Sequence, residues 1–239
     1  MNPIMEIRFA GVLGGMGPLA TADFLAKLAQ LTPASIDQEH IPVLLYGDCT
    51  IPDRTQSIVG KGPSPLPKLL AGIEFLNRSG VRVISIPCNS AHCWYDDMAR
   101  ASAVPVLHIV KASAEQVRLK RPQARRVGVL STYGTHQMGI YRQTLADLGY
   151  EVVTPTDEEF EQLVSPGIAM IKGNQLDAAE AVFAQAAQRL TARGADIIIL
   201  GCTEIPVGMQ KQYRLNPEQF VDSNEALALA VIDFCRQSA

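Results

Sequence analysis

The sequence predicts an α/β protein of two similar, pseudo-symmetric lobes, each a parallel sheet flanked by helices. Three observations lead there. Short β-branched runs alternate with longer alanine- and leucine-rich runs along the chain. The strand candidates are apolar throughout rather than alternating, as expected when helices cover both faces of a parallel sheet. A motif near the start also recurs past the middle, GVLGGMGPLATADF from Gly11 and GVLSTYGTHQMGIY from Gly128.

The elements follow in order. A strand is read at 9–13, an apolar run ending in glycines. The turn Gly14-Gly15-Met16-Gly17-Pro18 opens a helix at 19–31, because glycine allows the tight reversal and proline suits a first helical turn. A second strand is read at 43–46. The stretch 51–67, with four prolines and two glycines, reads as a loop long enough to be functional. Helix 66–78, strand 81–86, helix 94–103, strand 106–109 and helix 111–120 complete the first half by periodicity. The second half reads as strand 126–130, helix 137–148, strand 151–153, helices 158–171 and 177–193, strand 196–200 and helix 224–236. The lobes are placed at 1–110 plus 207–239 and at 111–206, the last helix returning to the first lobe. In such sheets the ligand lies beyond the carboxyl ends of the strands, here in the cleft between the lobes.

Composition narrows the function. Of 239 residues, 47% are hydrophobic and 19% charged, which supports a large core. The formal net charge is −3 with no long basic run, so a nucleic-acid partner is not expected. No apolar stretch reaches the ~18 residues of a membrane span. Residues 1–8 do not read as a signal peptide, and the expected setting is the cytoplasm. The five cysteines are odd in number and thinly spread, which argues for free thiols rather than a disulfide scaffold.

Two of those thiols stand in matched places. VRVISIPCNS around Cys88 parallels ADIIILGCTE around Cys202, each an apolar strand, a Pro or Gly, a cysteine and small polar residues. A thiol at a helix N-terminus is favoured as thiolate. Either cysteine alone reads equally as core filler or as a reactive group. As a pair flanking one cleft they suit a specific reaction, removal of a proton from one face of a carbon acid and return to the other, with no cofactor required. Backbone N–H groups and the hydroxyls of Ser90, Thr132 and Thr203 are candidate donors to the developing charge. The glycine loop could hold a carboxylate or phosphate, and reads otherwise as a tight strand–helix turn. It lacks a nucleotide-binding pattern. Arg54 reads as a carboxylate clamp or a solvated loop arginine, and Lys172 as a helix stop or a second carboxylate contact.

The four histidines form no metal pattern, and Cys88, His92 and Cys93 do not match zinc spacing, so no metal is expected. His92 could tune the Cys88 thiolate or pair with it as base to nucleophile. His108 reads as a satisfied core residue. Cys49, Cys93 and Cys235 read as packing residues.

The ordered set GGMGP-L-A-T, I-P-D-R-T, P-C-N-S-A-H and G-C-T-E-I-P resembles the aspartate/glutamate racemase family, close to its aspartate racemase branch, over nearly the whole chain. That resemblance implies a cofactor-independent amino-acid racemase, independent of pyridoxal phosphate, forming a homodimer and acting on a small acidic amino acid. It implies acid/base roles for Cys88 and Cys202, and substrate contacts at Met16, Arg54, Gln56, Asn89, Ser90, Thr132, Lys172 and Thr203. Ser90 stands where the family commonly has threonine, and Asn224 where threonine is also common. The alternatives are a relative acting on another α-acidic carboxylate or a hydantoin, and a non-catalytic binder of acidic amino acids.

Overall fold

The computed structural model describes residues 9–237. Residues 1–8, read above for a leader, lie outside the described residues. The first half contains β1 (Ala10–Gly14), α1 (Pro18–Leu31), β2 (Val43–Gly47), α2 (Arg54–Ile58), α3 (Leu66–Arg78), β3 (Val83–Ser85) and α4 (Tyr95–Ala101). Helix α5 (Ile109–Lys120) leads into β4 (Arg126–Ser131), α6 (Tyr133–Met138), α7 (Ile140–Asp147), β5 (Glu151–Val153) and α8 (Asp157–Glu159). Then come α9 (Ser165–Lys172), α10 (Leu176–Ala192), β6 (Ile197–Gly201), α11 (Ile205–Gly208), α12 (Gln210–Leu215), β7 (Phe220–Asp222) and α13 (Ser223–Gln237).

Two parallel sheets result, ordered β2-β1-β3 and β5-β4-β6-β7. The repeated motifs supply both central strands, β1 and β4. Gly11 pairs with Ile84 of β3, and Gly128 pairs with Ile198 of β6. Cys88 lies four residues after Ile84, and Cys202 lies four residues after Ile198. The two cysteines therefore occupy equivalent register positions beyond equivalent strands.

Strand side chains alternate between layers, as the period of two demands. Val127 and Val129 of β4 and Ile197 and Ile199 of β6 face a core shared with Ala10, Val12, Phe24, Val110 and Val231. Leu130, Ile198 and Leu200 face a second core with Phe160 and Phe183. Leu13 of β1 faces a third with Ile73 and Leu76 of α3. The shared core is held between the sheets by α1, α5 and α13. Helix α1 buries Ala20, Thr21, Phe24 and Leu28, the stripe of an amphipathic helix, and Phe24 and Leu28 enter that core.

Several expected elements differ. The strand expected at 106–109 reduces to one bridge, Ile84 to Val106, because Ile109 already begins α5 behind the His108 cap. The strand expected at 81–86 pairs only over Val83–Ser85. The loop 51–67 contains α2, whose N-terminus is capped by Asp53 accepting from the Gln56 N–H at 2.9 Å. Strand β7 extends the second sheet at its edge, and α13 then packs on α1 and α5. Among the described residues, no helix is long and apolar enough to cross a membrane.

Candidate active site

Beyond the carboxyl ends of β1, β3, β4 and β6 lies a tight cavity of about 20 Å³, lined from both halves of the chain. The first half of the chain contributes Met16, Asp53, Arg54, Thr55, Cys88, Asn89 and Ser90. The second half contributes Thr132, Ile168, Lys172, Cys202, Thr203 and Glu204. Nine of the ten residues singled out from sequence thus line one space. The tenth, Gln56, lines an adjoining pocket with Thr55, Tyr133 and Ser165.

The glycine loop sits where it does because of its first turn. The Gly15 N–H donates to Thr21 Oγ1 at 3.0 Å, and that hydroxyl donates to the Gly17 carbonyl at 2.9 Å. Gly15 has φ +93°, and a Cβ there would stand 2.5 Å from the Asp48 carbonyl carbon, so only glycine fits. The loop delivers Met16, 2% exposed, to the cavity wall.

The two thiol turns touch each other. Thr203 Oγ1 donates to the Pro87 carbonyl, the residue before Cys88, at 3.3 Å. Asn89 accepts from the Tyr141 hydroxyl at 2.6 Å and donates to Ser223 Oγ at 3.0 Å, so its side chain ties β3 to the second lobe. Thr132 caps α6, its Oγ1 accepting from the Thr135 N–H at 3.1 Å. Cys88 and Cys202 are buried, at 3% and 2% exposure. The helices after them are short: a 3₁₀ turn Ser90–Trp94 and the four-residue α11. A long-helix dipole at the thiols, expected from the sequence, is therefore replaced by nearby side chains.

Those side chains differ between the two thiols. Cys88 Sγ lies 3.6 Å from Ser90 Oγ. Cys202 Sγ donates to Glu204 Oε2 at 3.0 Å. Burial, and next the Glu204 carboxylate, push the Cys202 thiol well up. Arg54 donates through Nη1 to the Ile51 and Pro52 carbonyls at 3.2 and 3.0 Å. Burial works against its charge, but neighbouring Cys88, then Asp53 and Glu204, raise its pKa overall. Its Nε is buried without a partner among the described residues. Lys172 pairs with Asp53 across the halves at 3.6 Å. Glu204 was not singled out from sequence. Its signal was there: the repeated cysteine motifs differ two residues on, Ser90 in one and Glu204 in the other.

The remaining histidines and cysteines fall outside the chemistry. His92 is buried and neutral, its pKa lowered by burial. Its Nε2 accepts from the Ile109 N–H at 3.2 Å, and its Nδ1–H donates to the Cys88 carbonyl at 2.9 Å. The ring is thus spent on backbone and does not serve as base to the Cys88 sulfur. His108 accepts from the Val110 N–H at 3.2 Å. Burial pushes the Cys93 thiol up to about 12. Cys235 is core, whereas Cys49, expected to pack, is exposed. Asn224 joins α13 to α1, donating to the Ala20 carbonyl at 3.0 Å and Asp23 at 2.8 Å. Among the described residues no group of three or more His, Cys, Asp or Glu is placed to hold a metal.

Comparison with known proteins gives this arrangement its kin. A family model described as Asp/Glu/hydantoin racemase matches residues 13–231. The chain is 30% identical over 227 residues to the broad specificity amino-acid racemase RacX of Bacillus subtilis, covering 93% of this chain and 96% of that one. The solved aspartate racemase of Picrophilus torridus is 32% identical with a TM-score of 0.84, covering 95% of this chain and 93% of that one. A glutamate racemase from Francisella tularensis, at 20% identity and TM-score 0.73 over 97% of this chain and 82% of that one, shares the fold. Fold and kinship define an isomerase of the amino-acid racemase type. The chain belongs to the Asp/Glu/hydantoin racemase family.

Proposed function

We propose that the protein interconverts L- and D-aspartate by two-thiol 1,1-proton transfer, without a cofactor. One observation carries the reading: two buried thiols at equivalent register positions line one cavity beside an arginine whose Nε has no partner among the described residues. One cysteine, as thiolate, takes the α-proton. The other, as thiol, returns a proton to the opposite face of the same carbon. In the reverse direction they exchange roles. The carbanion-like transition state carries new negative charge on the α-carboxylate, which Arg54 and Lys172 stabilise together with nearby backbone N–H groups. Thr203, Thr132 and Ser90 present hydroxyls to the same space, Met16 closes it, and Asn89 fixes the Cys88 turn. Gln56, beside the pocket, orders the α2 loop.

The chain acts as a homodimer in the cytoplasm on this reading, with lobes 1–110 plus 207–239 and 111–206, β7 of the first lobe lying on the sheet of the second. A second substrate reading also has support. The cavity continues past Arg54 and Lys172 into a wider space lined by Pro18, Leu19, Ile51 and Ile171, which suits side chains longer than aspartate's. Glutamate and larger amino acids belong in the first assay for that reason.

The deciding experiment incubates L-aspartate, and separately L-glutamate, with the reduced protein in heavy water and resolves the products by chiral chromatography with mass detection. D-product carrying one solvent deuterium is expected. The Cys88→Ala and Cys202→Ala variants should each lose racemisation by orders of magnitude with the fold intact. Near-normal turnover in either purified variant would refute the two-thiol mechanism.

A further inference from the structure

The two lobes repeat in register, yet they differ at one place that touches the chemistry. Two residues after Cys88 stands Ser90, a neutral hydroxyl 3.6 Å from the sulfur. Two residues after Cys202 stands Glu204, whose Oε2 accepts the thiol hydrogen at 3.0 Å. Glu204 is 6% exposed, so little water screens it. On the Cys88 side a charge of the opposite sign, the Arg54 guanidinium, lines the same pocket. We propose that Glu204 is a positioning residue that holds Cys202 as the protonated, proton-donating member of the pair and leaves Cys88 as the member that takes the first α-proton. This rests on the two-thiol reading above.

The groups that face the pair agree. From α2 come Arg54 and Asp53, and from α9 comes Lys172, which Asp53 engages. From α7 comes the neutral Tyr141 phenol, its pKa raised by burial and, among charges, by Cys202. A carboxylate in contact with Cys202 disfavours a second negative charge on that sulfur, and a guanidinium beside Cys88 favours one there. The enantiomer whose α-hydrogen faces Cys88 then meets an enzyme ready to react. In that turnover the Cα–H bond breaks and a Cys88 S–H bond forms. The Cys202 S–H bond breaks and a new Cα–H bond forms on the opposite face. Cys202 is left as a thiolate beside Glu204, and that repulsion drives reprotonation of Cys202 and loss of the Cys88 proton. No electrons change hands. A racemase has an equilibrium constant of one, so kcat/KM must match for the two enantiomers. The imbalance therefore appears in kcat and KM separately.

The test reads ionisation without turnover. Wild-type protein, Glu204→Gln and Glu204→Asp are alkylated with iodoacetamide from neutral to alkaline pH, and each cysteine is followed by peptide mass spectrometry. The thiolate is the species that reacts, and the two sulfurs are similarly buried, so the rates compare directly. In the wild type, Cys88 should react about tenfold or more faster than Cys202 near neutral pH. Glu204→Gln should speed Cys202 about tenfold and move its profile to lower pH, with Cys88 unchanged. Glu204→Asp should fall between. In Glu204→Gln, kcat and KM for the two enantiomers should also draw together. Equal wild-type rates at the two cysteines, which needs no variant to fold, would overturn the proposal. So would a Cys202 profile indifferent to Glu204→Gln in a protein whose Cys88 rate is preserved. The two-thiol reading fails separately, if either alanine variant still racemises.

Discussion

Arg54 shows how one side chain can serve its loop and its ligand together. Nη1 closes the 51–54 turn on two carbonyls, while the side chain lines the pocket with Cys88 and its Nε has no partner among the described residues. Lysine carries the charge but cannot divide it between turn and cavity, since its ammonium is a single point on a flexible stem. Arg54→Lys should therefore lower kcat/KM by about 10² or more while circular dichroism stays unchanged. Wild-type kinetics in that variant would confine Arg54 to a loop role. At this scale much was legible. Cys88, Cys202, Arg54 and Thr203 could be found because motif and repeat single them out. Two roles were hidden. Asn89 spends its amide on Tyr141 and Ser223, partners 52 and 134 residues away in sequence, a distance no local pattern spans. Glu204 was hidden because its importance comes from contrast with Ser90, visible only once the two strands are in register.

Helices of a dozen residues were legible, and so were the short apolar strands that alternate with them, β5 at Glu151–Val153 among them; α2 and β7 were not. Helix α2 has five residues inside a proline-rich stretch, where composition reads as loop, and it forms because Asp53 caps it. Strand β7 has three residues, too few for periodicity, and pairs with β6 because its Phe220 and Val221 fill cores on both faces. The run read as one helix at 158–171 is α8, a π turn Phe160–Val164 and α9. What anchors that run is charge. Arg193, just after α10, donates to both oxygens of the buried Glu159 at 2.8 Å, and a capping box with Thr156 adds to the hold. Arg193 hydrogen bonding first, outweighing burial, lowers the Glu159 pKa to about 2 from 4.5. The folded value is the lower one, so this stabilisation is present above about pH 4.5 and is lost as pH falls toward about 2. Arg193→Ala leaves the buried carboxylate only the more distant Arg189, at 3.5 Å, and the Thr156 N–H, and should cost about 1–3 kcal/mol at neutral pH. Thermal melts across that acid window should show a shallower pH slope in the variant than in the wild type. An unchanged slope would mean another group carries the acid sensitivity.

Across the whole molecule, the two sheets do not own separate interiors. The shared core takes Ala10 and Val12 from β1, Val127 and Val129 from β4, Ile197 and Ile199 from β6, and Leu227 and Val231 from α13. Polar links cross the same boundary: Lys27 of α1 reaches Asp222, the last residue of β7, at 2.5 Å, Asn224 reaches Ala20, and Thr203 reaches Pro87. Neither half can lose its packing without exposing apolar faces of the other, so the duplicated architecture does not imply duplicated stability. The chain should unfold in one transition, with calorimetric and van't Hoff enthalpies in agreement. The same coupling predicts the response to a cut in the link between halves. Tyr141→Phe removes the hydroxyl that Asn89 accepts from inside the core, and should cost about 1–3 kcal/mol. That loss should lower the single transition as a whole rather than split it, because the apolar contacts across the boundary remain. Two resolved transitions, in the wild type or in Tyr141→Phe, would show that the lobes fold as independent units. The cleft holding both thiols would then depend on docking of the lobes rather than on a common core.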